Sequence, residues 1–257
     1  MRSIAIELID RINPRMSVNL RVKRQFHPGS LSEVATLVNY LSSRGISATD
    51  TAFDIGANSG LFSLPLSSMF AEVVSVEPNI ERARFLQRAL PENVRVVCAA
   101  CGSGNSVAVM TVPKRKDGIQ LHGLGSIAKR GDAALFHTGG EPVELTEFTV
   151  PVVTVDALAK LAKGKISFLK IDVEGHEDAV LAGSETVLRD HRPILFIEIE
   201  TRHGVDGVKI FEELRSLGYR CMSVNLGKLE ALNTPESFAA ALATPEIINF
   251  LFEPERT

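Results

Sequence analysis

At 257 residues, 45% of them hydrophobic and 23% charged, the chain is large enough for one α/β domain with a sizeable core and an added segment. A formal net charge of -3 gives no global field toward nucleic acid or an anionic membrane, and three irregularly spaced cysteines, Cys98, Cys101 and Cys221, exclude a disulfide framework or a four-ligand zinc site. No apolar run approaches the ~20 residues that span a bilayer, and Met1 to Arg15 is broken by Glu7, Asp10 and Arg11, unlike a signal peptide, so a cytoplasmic location is expected.

Residues 1–45 read as an N-terminal helical extension. Ile4, Ile6, Leu8 and Ile9 give a short helical pattern that Pro14, Pro28 and Gly29 punctuate, and Arg15, Arg21, Lys23 and Arg24 read as a solvated basic face. Val34, Leu37, Val38 and Leu41 then mark an amphipathic helix over 32–43, capped by Ser30 or Ser32 and closed by Gly45.

The main domain is expected over 46–257. It opens with a strand at 51–55, a helix over 60–69 with Pro65 near its start, a strand at 72–77, a helix capped by Asn79 that runs to Leu90, and a strand at 93–98. Cys98 and Cys101 form a C-x-x-C without the prolines and aromatics of a redox loop and read as inert thiols. Val107–Val112 and Phe148–Val153 cluster β-formers around a polar stretch. A lid or substrate insert is therefore expected around 113–147, because so long a connection in a compact domain is normally functional. The alternation resumes with a helix opened by Thr154 or Asp156 and reaching Lys163, strands at 166–171 and 194–199, helices at 177–190 and 207–217, and strands at 219–224 and 247–252. The last two strands lack a periodic helix between them and suit antiparallel pairing at one edge. The whole implies an α/β fold with a mainly parallel sheet and helices on both faces.

The stretch 54–60, Asp-Ile-Gly-Ala-Asn-Ser-Gly, joins the first strand to its helix. Its glycines permit positive φ and bring backbone N–H groups close to a ligand. Asn58 stands where a dinucleotide fingerprint needs glycine, and Gly60-Leu61-Phe62 lacks the Lys-Ser/Thr of a P-loop, so a phosphate-free ligand with its own charges suits this turn better. Glu77 lies 23 residues past Asp54 at the next strand tip, where an acceptor for two ribose hydroxyls belongs. Two further tips carry acids: Asp172-Val173-Glu174-Gly175-His176-Glu177, and Glu198 with Glu200. Gathering so many carboxylates at one end is costly without a cationic or polyhydroxylated ligand. His122, His137, His191 and His203 are scattered and read as surface or insert residues.

These stretches resemble the FkbM-type, S-adenosylmethionine-dependent methyltransferases, a branch of the class I Rossmann-like methyltransferases. The resemblance rests on Phe-Asp-Ile-Gly-Ala-Asn-Ser-Gly (53–60), Val-Glu-Pro-Asn (76–79), Pro-Val-Val-Thr-Val-Asp-Ala-Leu (151–158), Leu-Lys-Ile-Asp-Val-Glu-Gly-His-Glu (169–177), Val-Leu-Ala-Gly (180–183), Arg-Pro-Ile-Leu-Phe-Ile-Glu-Ile (192–199) and Asn-Phe-Leu-Phe (249–252), and it covers roughly 50–252. It implies a seven-stranded, mainly parallel sheet with an antiparallel edge strand. It also implies a cofactor site in which Gly56, Ala57, Asn58 and Gly60 hold the methionine moiety, Asp54 lies near its ammonium, Glu77 with Pro78 takes the ribose, Ala100 lies by the adenine, and Asp172 positions the donor. No acid stands at the strand-three tip, where many class I members place one. Asp172, Glu174, His176 and Glu198 are the expected catalytic groups, with no metal called for. The reaction implied is O-methylation of a hydroxyl on a small molecule or sugar. Alternatives are N- or protein-side-chain methylation, or a non-catalytic binding subunit. No nucleic acid or membrane partner is expected, and oligomeric state is not legible.

Overall fold

The computed structural model describes residues 9–10, 12–26, 32–47, 49–115 and 143–255. The apolar pattern at Ile4, Ile6 and Leu8, most of the expected insert, His122 and His137 lie outside them.

In chain order the elements are α1 (Pro14–Gln25), α2 (Glu33–Ser42), β1 (Thr51–Ile55), α3 (Ser63–Ser67), β2 (Glu72–Val76), α4 (Ile80–Ala89), β3 (Val94–Val97), β4 (Ala100–Cys101), β5 (Ser106–Arg115), β6 (Val143–Val153), α5 (Val155–Ala159), β7 (Ile166–Ile171), α6 (Glu177–Ala182), β8 (Ile194–Glu198), α7 (Gly207–Ser216), β9 (Tyr219–Asn225), β10 (Lys228–Leu232), α8 (Pro235–Leu242) and β11 (Asn249–Pro254). One eight-stranded sheet has the order β10-β9-β11-β8-β7-β1-β2-β3. β8, β7, β1, β2 and β3 run parallel, and β11 lies antiparallel between β8 and β9. The fold class is as expected, but eight strands stand where seven were. The extra one, β10, folds back on β9 as a hairpin at the edge.

Period-two alternation divides the strands between two cores. Phe53, Ile55, Leu169, Ile171, Leu195, Ile197, Phe250 and Phe252 face α5, α6, α7 and α8, while Ala52, Val73, Phe168, Phe196 and Leu251 face α2 and α3. Phe238 of α8 anchors the first core, its ring 4.7 Å from Phe211 and 4.6 Å from Phe250. Leu37, Tyr40 and Leu41 of α2 belong to the second core, so this helix is a layer of the sheet.

Helical residues at 9–10 and 12 stop at Asn13, so the expected break does fall at Pro14. It occupies the first helical turn of α1, where its missing N–H costs nothing, and Asn13 caps that helix by accepting from the Met16 N–H at 3.0 Å. Arg21, read as solvated, instead pairs with Asp10 at 2.8 Å and lies over the Phe85 ring. The expected helix over 177–190 is split, because a Cβ on Gly183 would stand 2.1 Å from the Gly102 carbonyl. That close approach pins the end of α6 before a π-helical turn at Val187–His191. The cap of α8 is reciprocal, with Thr234 Oγ1 accepting from the Ser237 N–H at 3.2 Å and Ser237 Oγ from the Thr234 N–H at 3.1 Å. Thr234→Ala is expected to cost about 1 kcal/mol in urea unfolding without altering the site.

Candidate functional site

Strand order reverses between β1 and β7, and a cleft opens past their carboxyl ends, where ligands of open α/β sheets bind. It encloses about 710 Å³, counting space open to solvent, and Gly56, Asn58, Glu77, Pro78, Ala100, Met110, Asp172, Glu174 and Glu198 are among its lining residues. Gly56 makes the crevice. Its φ is +81, its N–H donates to the Val76 carbonyl at 2.9 Å, and a Cβ there would lie 1.7 Å from the Asp172 carbonyl oxygen.

Glu77 follows β2 and is 5% exposed. Its Oε2 accepts from the Asn58 N–H at 2.9 Å and its Oε1 from the Asn79 N–H at 2.8 Å, so the carboxylate staples the glycine turn to the start of α4. Burial pushes its pKa up to about 7 against the pull of those two N–H bonds. Each oxygen keeps accepting capacity beyond its one backbone bond, and the residue lines the cleft.

Asp54 lies one layer deeper, fully buried and not among the lining residues. Its Oδ2 accepts from Ser63 Oγ at 2.5 Å, Ser63 Oγ takes a bond from Ser75 Oγ at 2.8 Å, and Oδ1 faces Lys170 Nζ at 3.3 Å as an ion pair rather than a well-directed hydrogen bond. Lys170 Nζ also reaches the Gly56 carbonyl at 3.2 Å and Asp172 Oδ2 at 3.1 Å. Burial pulls the lysine pKa down, but Asp172 and Asp54 outweigh it and hold it above the ordinary value. One buried cation thus ties both strand tips to the turn.

Asp172, Glu174 and Glu198 each bring an oxygen within 4.8 Å of the others. Burial, then Asp172, Glu200 and Glu174, drive the Glu198 pKa upward, so it is the neutral member of the cluster. Burial raises Glu200 as well, but hydrogen bonds with Glu198 and Arg202 outweigh it and leave it lowered. Glu174 stands at φ +56 beside Gly175 at φ +95, and its Oε2 lies 3.0 Å from His203 Nε2. Glu177 supports this loop from below, its Oε1 accepting from Gly175 N–H at 3.1 Å and Val173 N–H at 3.4 Å.

Of the expected residues, the cleft gathers Gly56, Asn58, Glu77, Pro78, Ala100, Asp172, Glu174 and Glu198. Ala57 is buried against Val18 and Phe85, and a Cβ on Gly60 would meet Leu86 at 3.0 Å, so both serve the packing of the turn. His176, half-buried, lines a neighbouring depression with Gly102, Asn105 and Val152, and burial lowers its pKa. Lys170, Ser63 and His203 are participants that sequence reading missed, while Glu177, named only as part of a strand-tip motif, props the loop. Lysine within the apolar run of β7 was the one available signal. His203, read as a surface residue, has a side chain only 5% exposed. His191 instead closes the sheet, its Nδ1 accepting from the Ile166 N–H at 3.0 Å. The cysteines are free, and burial raises the Cys101 thiol to about 12. Among the described residues no helix is long and apolar enough to cross a membrane.

The family model described as "Methyltransferase FkbM domain" matches residues 54–221. A search of curated protein sequences finds no match. Among solved structures, the methyltransferase FkbM from Methylobacillus flagellatus KT is 16% identical with a TM-score of 0.51, covering 98% of this chain and 59% of that one; the present chain thus spans well under two thirds of that relative. An O-methyltransferase from Bacillus cereus in complex with SAH is 12% identical at a TM-score of 0.44, covering 97% and 96%. A precorrin-6y C5,15-methyltransferase from Geobacter metallireducens GS-15 is 11% identical at 0.43, covering 87% of each chain. With its model matched over more than half of the sequence, the chain belongs to the FkbM methyltransferase domain family.

Proposed function

We propose that the protein is a cytoplasmic S-adenosylmethionine-dependent methyltransferase that acts on a hydroxyl of a small molecule or sugar. The observation that carries this reading is Glu77: a buried carboxylate at the second strand tip, stapled to the glycine turn and still able to accept from a vicinal diol. The residues fit the donor in other respects. Gly56 leaves the backbone open where a side chain would close the crevice, and carboxylates of the cluster suit a ligand bearing an ammonium and a sulfonium. The absence of an acid by Ala99 and Ala100 leaves adenine to backbone groups and the wall formed by Pro78 and Met110.

When bound, the donor supplies an electrophilic methyl group. The chain supplies alignment, exclusion of water and a place for the acceptor's proton. Asp172 and Glu174 are the proton-accepting candidates, while neutral Glu198 donates a hydrogen bond instead. His176 faces the adjoining depression, which suits contact with the acceptor more than proton abstraction. The β5–β6 hairpin begins at this wall, so the 113–147 insert is assigned to acceptor recognition.

Isothermal titration with S-adenosylmethionine and S-adenosylhomocysteine should give heat for both, and methyl-labelled donor mixed with cell extract should give a labelled hydroxyl product. No heat with either ligand would remove the reading. Binding without transfer would leave a cofactor-binding subunit.

The raised pKa of Glu77 predicts a pH dependence. Ribose hydroxyls donate to the ionised form, so S-adenosylhomocysteine affinity should rise about tenfold between pH 6 and pH 8 as the group titrates near 7. In Glu77→Gln the affinity should be weaker and flat over that range. The same shift destabilises the free protein as pH rises from about 4.5 to about 7, because ionising a buried acid costs more in the folded state.

A further inference from the structure

Resting on that reading, we propose that His203 is a positioning residue that holds Glu174 as the acceptor's proton-accepting group. His203 ends a short 3-10 turn, Thr201–His203, immediately after the β8 tip. Its side chain is 5% exposed, and its Nε2 faces Glu174 Oε2 at 3.0 Å and Glu200 Oε1 at 3.9 Å. Glu200 is anchored in turn by Arg202. The imidazole therefore lies between two carboxylates, one on the cleft wall and one behind it.

The backbone gives independent support. A non-glycine residue at φ +56 is strained by roughly 1–2 kcal/mol, and Glu174 holds that conformation directly before Gly175. The strained loop brings its carboxylate into the cleft, 4.8 Å or less from oxygens of Asp172 and Glu198, and the His203 contact fixes the side chain there. The other two acids have different partners: Asp172 is tied to Lys170 at 3.1 Å, and Glu198 is hydrogen-bonded with Glu200. Among the described residues, Glu174 is the one of these three acids with a histidine at ion-pair distance.

In the transfer, the acceptor O–H bond breaks and its proton goes to Glu174. The new O–C bond forms as the donor's S–C bond breaks, and that electron pair stays on sulfur. The proton stays on Glu174, and His203, its Nε2 facing that carboxyl, holds it in place with Glu200 behind the imidazole. The carboxylates facing the imidazole are Glu174 and Glu200, the latter held by Arg202.

Two measurements on the full chain test this. NMR of isotope-labelled histidine should show the His203 Nε2 resonance displaced in Glu174→Gln relative to wild type, as a contact between the two side chains requires. Transfer of labelled methyl from S-adenosylmethionine into cell extract should fall on the order of tenfold or more in His203→Ala, with S-adenosylhomocysteine affinity kept within about twofold. His203→Gln, which keeps a donor toward Glu174, should recover part of the rate but not the wild-type pH profile. An imidazole indifferent to Glu174→Gln, or a His203→Ala variant with wild-type rate and pH profile, overturns the inference and leaves methyl transfer standing. A parallel loss of ligand affinity in His203→Ala would make the contact a structural latch and also overturns it. If wild type neither binds the ligands nor transfers label, the methyltransferase reading falls first and this inference with it.

Discussion

Gly56→Ala is expected to abolish measurable S-adenosylhomocysteine binding and to cost about 2–5 kcal/mol of stability. Two separate effects add. Alanine at φ +81 pays roughly 1–2 kcal/mol of left-handed backbone strain, and its Cβ would lie 1.7 Å from the Asp172 carbonyl oxygen, an overlap that requires the backbone just past β7 to move away from the glycine turn. That movement would widen the cleft floor and displace Asp172 from Lys170. Gly45→Ala separates the effects, since Gly45 has φ +67 but nothing within 4 Å of its would-be Cβ. It should show the strain alone, about 1 kcal/mol by urea unfolding, with ligand affinity unchanged. Wild-type affinity in Gly56→Ala would mean that the crevice between the two strands is not where the ligand sits.

The parts of this site that were legible in the sequence are those whose physics is local. A buried strand ending in Gly56, an acid at Glu77 and a cap at Asn79 are each specified within a few residues, and the structure shows all three. The acids at Asp172, Glu174 and Glu198 were legible as strand tips because alternation fixes where a strand ends. What escaped is set by contacts between distant segments. Asp54 reads as a ligand-facing acid until Ser63 and Lys170 are seen to enclose it, and although a lysine in an apolar strand hints at a buried role, nothing local says that it pairs with Asp54. His203 carries no signal at all, since its partner Glu174 lies on a different strand tip. The β9–β10 hairpin was hidden for another reason. Its turn places Leu226 at φ +46 and Gly227 at φ +78, and leucine is a poor residue for the first of those positions, so the usual Asn-Gly or Asp-Gly signature is missing. Pro14 was legible for the same local reason: the helical residues before it stop at Asn13, and its ring opens α1 at the first turn.

Lys170→Met should be the most destabilising polar substitution in the site, by about 3–5 kcal/mol in urea unfolding, although the two side chains are close in length. Methionine fills the space but leaves Asp54, fully buried, with Ser63 as its remaining side-chain partner, and it frees Asp172 and the Gly56 carbonyl from their shared donor. An uncompensated buried carboxylate is the dominant cost, because solvent cannot reach it to screen the charge. The double variant Lys170→Met with Asp54→Asn tests this, since removing the stranded charge should restore a large part of the lost stability. Ligand affinity should not return with it, because Asp172 still lacks its partner. The raised pKa of Lys170 sets the sign of the pH dependence: its stabilisation is fully present below the ordinary lysine range and is lost only above it, so the difference from wild type should be constant around neutral pH. A Lys170→Met protein within 1 kcal/mol of wild type would show that Asp54 does not need the lysine. The glycine turn would then have to be held by Glu77 and the backbone alone.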